Sequence, residues 1–270
     1  MYQRILCPRC HSRFLSPIRR EKRRCKRCRY EFTPWLIKGV RLKDQKIKKI
    51  IEWFLLERSG LWIAQRLSLG KNQVYKVLRA LRQVMAQDVP KVLEGIIEVD
   101  ETYLGGQKKN KNKKQLKKEI NIYGQSKKGR GTSKQPVFGI LCRSGKVYAE
   151  IVAGIEAKDL IPIITQRVKT GSRICSDTWR AYTGLAAKGY LHRIVKHRNK
   201  EYVKGKNHIN GLEGFWGYLK RKLAAKGGVQ RQYLPLFLGE YVWRYNFRNL
   251  TLEEQTRRLI YLLRKLNFGG

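Results

Sequence analysis

Cys7-Pro-Arg-Cys10 is followed, after fourteen residues, by Cys25-Lys-Arg-Cys28, and no other feature limits the fold of this chain so tightly. Two CxxC knuckles at that separation bring four thiolates onto one tetrahedron, which suits Zn²⁺ held as a structural ion. A segment this short buries too little surface to fold by itself, so metal binding supplies its folding free energy. The competing reading is a pair of disulfides. It needs an oxidising compartment, and the N-terminal MYQRILCPRC lacks the apolar core of a secretory signal. Phe14, Tyr30, Phe32 and Trp35 are expected to pack around the knuckles, and HSRFLSPIRREKRR between them is basic enough to touch phosphate. His11 is a substitute ligand only if a cysteine fails. Cys142 and Cys175 lie in apolar, strand-like runs and read as buried core thiols.

The charge narrows the partner. Sixty Lys and Arg stand against twenty Asp and Glu, a formal +40. Such a chain repels itself and calls for a polyanion, and each nucleic-acid phosphate neutralised by Lys or Arg releases condensed counterions. A membrane is the rival, but no run of eighteen or more apolar residues exists. The reading is a soluble cytoplasmic, nucleoid-associated protein with reduced cysteines. A structural RNA binder is the plain alternative.

From Leu42 to Met85 apolar residues recur at helical spacing: Ile47, Ile50, Ile51, Phe54 and Leu55, then Leu61, Ile63, Ala64 and Leu67, then Val74, Val77, Leu78 and Leu81. Ser68-Leu69-Gly70 interrupts the last two sets. WIAQRLSLGKNQVYKVLRAL therefore fits a helix-turn-helix whose second helix opens near Lys71 and offers Lys71, Asn72, Gln73 and Lys76 to a DNA groove. A helical hairpin that only packs is the alternative.

Past Pro90 the pattern changes to strands. EGIIEVDETYLGG reads as a buried strand with Asp100 at its end, and QPVFGILCRSGKVYAEIVAG as a hairpin turning at Arg143-Ser144-Gly145-Lys146. AKDLIPIITQRVK has helical spacing, RICSDTWRAY is a strand running into Asp177, and GYLHRIVK is another strand. HINGLEGFWGYLKRK is a helix carrying Glu213. The order is strand with Asp, hairpin, helix, strand with Asp, helix, strand, helix with Glu. That is the layout of a ribonuclease-H-like fold, in which acids from two neighbouring strands and one helix converge. Carboxylates are the ligands that hard divalent cations require, and two Mg²⁺ ions roughly 3.5 to 4 Å apart support in-line displacement at phosphorus. Glu98 and Glu101 compete with Asp100; Glu101 faces the opposite side if the strand continues, and Glu98 shares the face one pleat earlier.

VDETYLGG, SDTWRAY, HINGLEGFWGYLKR and WRYNFR resemble characteristic blocks of the bacterial insertion-sequence transposases of the Asp-Asp-Glu type, in the ISXO2-like group. That group also carries an N-terminal zinc ribbon and a helical DNA-binding segment, so the resemblance spans nearly the whole chain. It places the three catalytic acids on Asp100, Asp177 and Glu213, with Asn210 as a rival for the third. It places a phosphate-contacting base on Lys220, two helical turns beyond Glu213, and leaves His208 and Asn210 to position the glutamate or touch the scissile phosphate. It further implies Mg²⁺ or Mn²⁺ at the acids, double-stranded DNA as element ends and target, and a homo-oligomer on that DNA.

The expected protein is thus multidomain α+β: a zinc ribbon over 1–38, a helix-turn-helix-like segment over 39–90, and a ribonuclease-H-like, mixed-sheet catalytic domain over 91–270. Residues 107–134, with eleven Lys or Arg and one Glu, are a basic insertion suited to clamp phosphates. The expected activity is transposition. A nuclease on the same fold without strand transfer, and a zinc-ribbon DNA-binding regulator, are the alternatives.

Overall fold

A computed structural model describes residues 5–19, 22–105, 117, 134–177, 180–194 and 210–268. His208 and nearly all of the basic stretch 107–134 lie outside the described residues. The chain forms two compact units, Met1–Asp88 together with Phe247–Gly270, and Val89–Asn246.

In the first unit β1 (Leu15–Pro17), β2 (Arg23–Cys25) and β3 (Glu31–Phe32) form a small antiparallel sheet in that order. The aromatic expectation is corrected here. Phe14 is 59% and Tyr30 42% exposed, with the Arg13 guanidinium over Phe14 and Tyr30 stacked on Phe32. So small a sheet has little interior, and Cys7 and Cys25 occupy it.

Three helices follow: α1 (Asp44–Leu55), α2 (Gly60–Arg66) and α3 (Lys71–Gln87). The apolar stripe bears them out, with Ile47, Ile50, Ile51, Phe54 and Leu55 buried on α1 and Val74, Val77, Leu78 and Leu81 on α3. Leu61 is the exception and is exposed, because the buried side of the short α2 is Ile63 and Ala64. Both α1 and α2 end on a left-handed residue that is not glycine. Glu57 and Ser68 have φ of 60° and 50°, and the next amide reaches back five residues, Arg58 N–H to the Trp53 carbonyl and Leu69 N–H to that of Ala64. Ser68, and not Gly70, therefore takes the left-handed position of the turn; Gly70 is extended and precedes α3.

The sequence reading carried the third segment to residue 270, but the last helix, Leu252–Phe268, packs on α1 and α3. Its Leu259 and Leu263 are fully buried there. Arg258 fastens it: the guanidinium donates to both Asp88 carboxylate oxygens at 2.6 Å and lies 4.2 Å from the Phe247 ring centroid.

The second unit is a five-stranded mixed sheet between helices. Its strands are β4 (Ile96–Leu104), β5 (Gln135–Cys142), β6 (Lys146–Ile151), β7 (Arg173–Ser176) and β8 (Leu191–Ile194), in spatial order β6-β5-β4-β7-β8. The meander β4-β5-β6 is antiparallel, and β7 and β8 run parallel to β4. Alternation sorts the side chains. Ile97, Val99, Phe138 and Ile140 face α4 (Ala157–Arg167) and the 3₁₀ segment Arg180–Lys188. Val137 and Leu141 face α5 (Asn210–Ala224) and α6 (Leu234–Asn246). Because β5 is covered on both faces, Val137–Cys142 is a near-continuous apolar run, whereas β4 interrupts its apolar residues with Glu98, Asp100, Glu101 and Thr102. Cys142 and Cys175 are buried, as expected.

One correction bears on the site. Asp100 lies in the middle of β4 and not at its end, since pairing with β5 continues to Leu104 opposite Gln135. What ends near Asp100 is the ladder with β7, whose last pair is Glu98 with Cys175.

Candidate active site

On β4, Glu98, Asp100 and Thr102 alternate onto the α5 face. The parallel register of Glu98 with Cys175, carried forward two residues, sets Asp177 beside Asp100 on strands about 4.8 Å apart. Asp177 directly follows the last residue of β7. Glu213 stands in the first turn of α5 and is exposed.

α5 runs along β4 and touches it twice. The Leu212 N–H donates to Glu98 Oε2 at 2.9 Å, and the Trp216 indole N–H to Asp100 Oδ2 at 3.0 Å. Four helical residues rise about 6 Å and two strand residues about 6.6 Å, so the two contacts keep step. The indole reaches Asp100 over Gly139, the residue paired with Asp100 on β5. A Cβ at 139 would lie 2.4 Å from the Trp216 ring, which only glycine avoids.

The acids act on one another. Burial pushes the Asp100 carboxyl up to about 6, against the Glu101 amide and Trp216 indole, which favour the charged form; Asp177 and Glu213 push it further up. Lys220 is exposed, but desolvation of its ammonium lowers its pKa, with the Asp100 charge opposing and Lys134 adding to the shift. Lys134, the last residue of the expected basic insertion, thus stands within electrostatic reach of Lys220. The structure therefore groups Asp100, Asp177, Glu213 and Lys220. Asn210 is the first residue of α5 and exposed.

Behind this face a second polar set supports the strand ends. Glu101 does face the opposite side, where the Tyr182 hydroxyl donates to its carboxylate. Ser176, fully buried, donates to the Asp177 carbonyl at 2.9 Å and is 2.8 Å from His192 Nε2. The sequence reading assigned no partner to His192 and no role to Trp216 or Gly139. A lone glycine within a strand pattern was the available signal, since it marks close approach by another group.

At the other end of the chain the cysteine sulfurs all lie within 4.8 Å of one another, the pairs Cys7–Cys28 and Cys10–Cys25 at 3.5 Å. The knuckles turn alike, His11 N–H bonding the Cys7 carbonyl and Arg29 N–H the Cys25 carbonyl at 2.9 Å, while Arg9 N–H points at Cys7 Sγ and Cys28 N–H at Cys25 Sγ. The Cys28 amide chiefly, then Cys10 and the Arg27 amide, hold the Cys25 thiol down at about 6 against its burial. His11 and Arg29, each just past a knuckle, are both left-handed, at φ 54° and 61°. His11 thus occupies a backbone turn position. Lys71, Asn72, Gln73 and Lys76 are all exposed on the first turns of α3. No helix among the described residues is long and apolar enough to cross a membrane.

Fold and site together define a mixed-sheet α+β protein with a clustered-acid site and a four-cysteine cluster able to hold a metal ion. The ISXO2-like transposase domain model matches residues 92–246, over half of the chain, and the chain belongs to that family. An uncharacterized transposase-like protein of Haemophilus influenzae is 34% identical over 101 residues, 37% of this chain and 81% of that one. An uncharacterized protein in transposable element ISH50 of Halobacterium salinarum is 27% identical over 207 residues, 72% of this chain and 68% of that one. Among solved structures, the Mos1 strand transfer complex aligns with a TM-score of 0.33 at 11% identity, over 82% of this chain and 78% of that one.

Proposed function

We propose that this chain is a transposase that binds the terminal inverted repeats of its insertion sequence and catalyses DNA cleavage and strand transfer with Asp100, Asp177 and Glu213, on a ribonuclease-H-like domain. The observation that carries the reading is the convergence of like charges: Asp177 and Glu213 both raise the pKa of Asp100. Three carboxylates brought together in a protein with sixty Lys and Arg are an unfavourable arrangement unless a cation neutralises them.

The donors fit hard divalent ions, being carboxylate oxygens on one face with Glu213 exposed. Mg²⁺ or Mn²⁺, when bound by these three residues, supplies Lewis-acid activation of the attacking oxygen and neutralises charge on the leaving one. The chain's own residues do the rest. Trp216 holds Asp100 Oδ2, and the Glu101 amide also bonds this carboxylate, so its orientation toward the site is fixed. Lys220, with Lys134 near it, meets the phosphate beside the acids. Asn210 opens α5, and it and His208, two residues earlier in the sequence, would position Glu213 or touch the scissile phosphate. Water attacks first and frees a 3′-hydroxyl; that hydroxyl then attacks target DNA. Both steps are displacements at phosphorus, so one site serves both.

The four-cysteine cluster holds structural Zn²⁺ in this reading, and the α2-turn-α3 segment is a helix-turn-helix that presents Lys71, Asn72, Gln73 and Lys76 to the major groove. Pairing two element ends calls for a homo-oligomer. The test is purified protein with Mg²⁺ and a duplex carrying an element end. Wild type nicks and joins strands, while Asp177→Ala and Glu213→Gln bind the duplex but do neither; retention of joining by Asp177→Ala would sink the assignment. Cutting without joining indicates a nuclease, and duplex binding with no cutting by wild type, equal to that of Glu213→Gln, a regulator that needs no acids.

A further inference from the structure

A fourth carboxylate lies on the same face of β4, and the proposed chemistry does not use it. Glu98 is fully buried. One oxygen accepts the Leu212 N–H at 2.9 Å, and the other accepts Arg143 Nε at 3.1 Å from the β5–β6 turn. Leu212 is the third residue of α5, so its amide is among those a helix cannot satisfy internally. A carboxylate there gains a charge-assisted hydrogen bond and the positive end of the helix dipole. Position 211 is built to admit it: a Cβ on Gly211 would lie 3.0 Å from Glu98 Oε2 and 3.1 Å from Leu141 Cδ2. The turn holding the other partner is itself tied to β4, through Arg143 N–H to the Ile96 carbonyl at 3.0 Å.

We propose that Glu98 is a positioning residue: by gripping the first turn of α5 it fixes Glu213, the residue next to Leu212, against Asp100 and Asp177, and so sets the affinity of the site for divalent cations. The proposal rests on the metal-site reading above. Glu98 is not itself a ligand, since both of its oxygens are engaged within the protein. Asp100 is pinned to the same helix one turn on by Trp216. The pair Glu98–Leu212 and Asp100–Trp216 therefore fixes both the position of α5 along β4 and its rotation. Without the first contact, the turn carrying Glu213 would hang from the second alone.

Full-length Glu98→Ala and Glu98→Gln test this by amide hydrogen exchange across 210–216, Mn²⁺ affinity by calorimetry, and thermal midpoint. In Glu98→Ala the Leu212 amide exchanges faster, and Mn²⁺ affinity falls by about 10- to 100-fold, the range for loss of a group that orients a metal ligand. Glu98→Gln keeps an acceptor for Leu212 but turns an NH₂ toward Arg143, so it falls between; it also carries the test if Glu98→Ala does not fold. Saturating Mn²⁺ restores strand cleavage in both variants, and the metal-free thermal midpoint of each stays above the assay temperature, which separates weaker metal binding from a loss of fold that bound metal would also reverse. Unchanged exchange at Leu212, or faster exchange with wild-type Mn²⁺ affinity, overturns the proposal. So does equal loss of Mn²⁺ binding in both variants with exchange unchanged, which would make Glu98 a ligand. Wild-type Mn²⁺ binding that survives Asp177→Ala would instead sink the underlying metal-site reading.

Discussion

Asp100 is held in a state that suits a ligand better than it suits the fold. Its carboxyl is raised from 3.8 to about 6 by burial and by two neighbouring acids. The sign follows: the folded chain binds this proton more tightly than the unfolded one, so stability is greatest below pH 4 on this account and declines as pH rises through about 6. Above that the charged carboxylate destabilises the metal-free protein, by at most about 3 kcal/mol for a shift of this size. Asp100→Asn is therefore expected to be more stable than wild type at pH 8 without metal, by up to about 3 kcal/mol, and inactive. Mg²⁺ should raise the thermal midpoint of wild type only, and melting curves with and without the ion check both statements. Gly139→Ala makes the complementary point. Its methyl would displace the buried Trp216 ring, at about 1–3 kcal/mol for overpacking, and draw the indole off Asp100. Strand cleavage should fall further than stability explains, with DNA binding intact. That Asp100, Asp177 and Glu213 belong together was legible from their order along the chain. The partners Trp216 and Leu212 were not, because they lie more than a hundred residues from Asp100 and Glu98 and depend on the packing of α5.

Among the elements, those with an unambiguous period were the legible ones. α1, α3 and the β5–β6 hairpin fall where the spacing of apolar residues puts them, with Gly145 at φ 95° in the expected turn. Two kinds of information were missing. The extent of β4 beyond Asp100 is set by β5 opposite it, not by its own residues. The allegiance of the C-terminal helix is set by partners, since an amphipathic helix fits any apolar groove. Asn246 is a third case, hidden at the end of α6. Its side-chain amide accepts the Val147 N–H at 2.7 Å and donates to the Val147 carbonyl at 2.8 Å, pairing with β6 as a neighbouring strand would. β6 is an edge strand, and this pairing covers its open side, reinforced by Lys146 Nζ on the Asn246 carbonyl at 2.7 Å. Asn246→Ala removes two buried backbone partners and should destabilise by about 2–3 kcal/mol. Asn246→Asp, which keeps the acceptor and loses the donor, should also destabilise. Denaturant midpoints at constant slope decide the matter.

For the whole molecule the governing fact is its charge of +40, which, on the proposed function, would rest most of the affinity for DNA on phosphates. Neutralising six to ten phosphates makes affinity fall on the order of 10³–10⁵ between about 50 and 200 mM salt. Binding to random duplex should show nearly the same slope of log affinity on log salt as binding to an element end, because both slopes count phosphates. The difference between the two should come from the few side chains at the start of α3 that can reach base edges. Lys71 and Gln73, both exposed in the first turn of α3, differ in chemistry: the first is a charge, the second a donor and acceptor pair able to read adenine. Lys71→Ala should weaken both duplexes alike and lower the salt slope by about 1, whereas Gln73→Ala should leave the slope and lower the preference for the element end by about 1–3 kcal/mol. Titrations of both duplexes at four or more salt concentrations separate the two effects. A Gln73→Ala protein that loses slope but keeps its preference would show that α3 lies along the backbone and that sequence is read elsewhere on the protein.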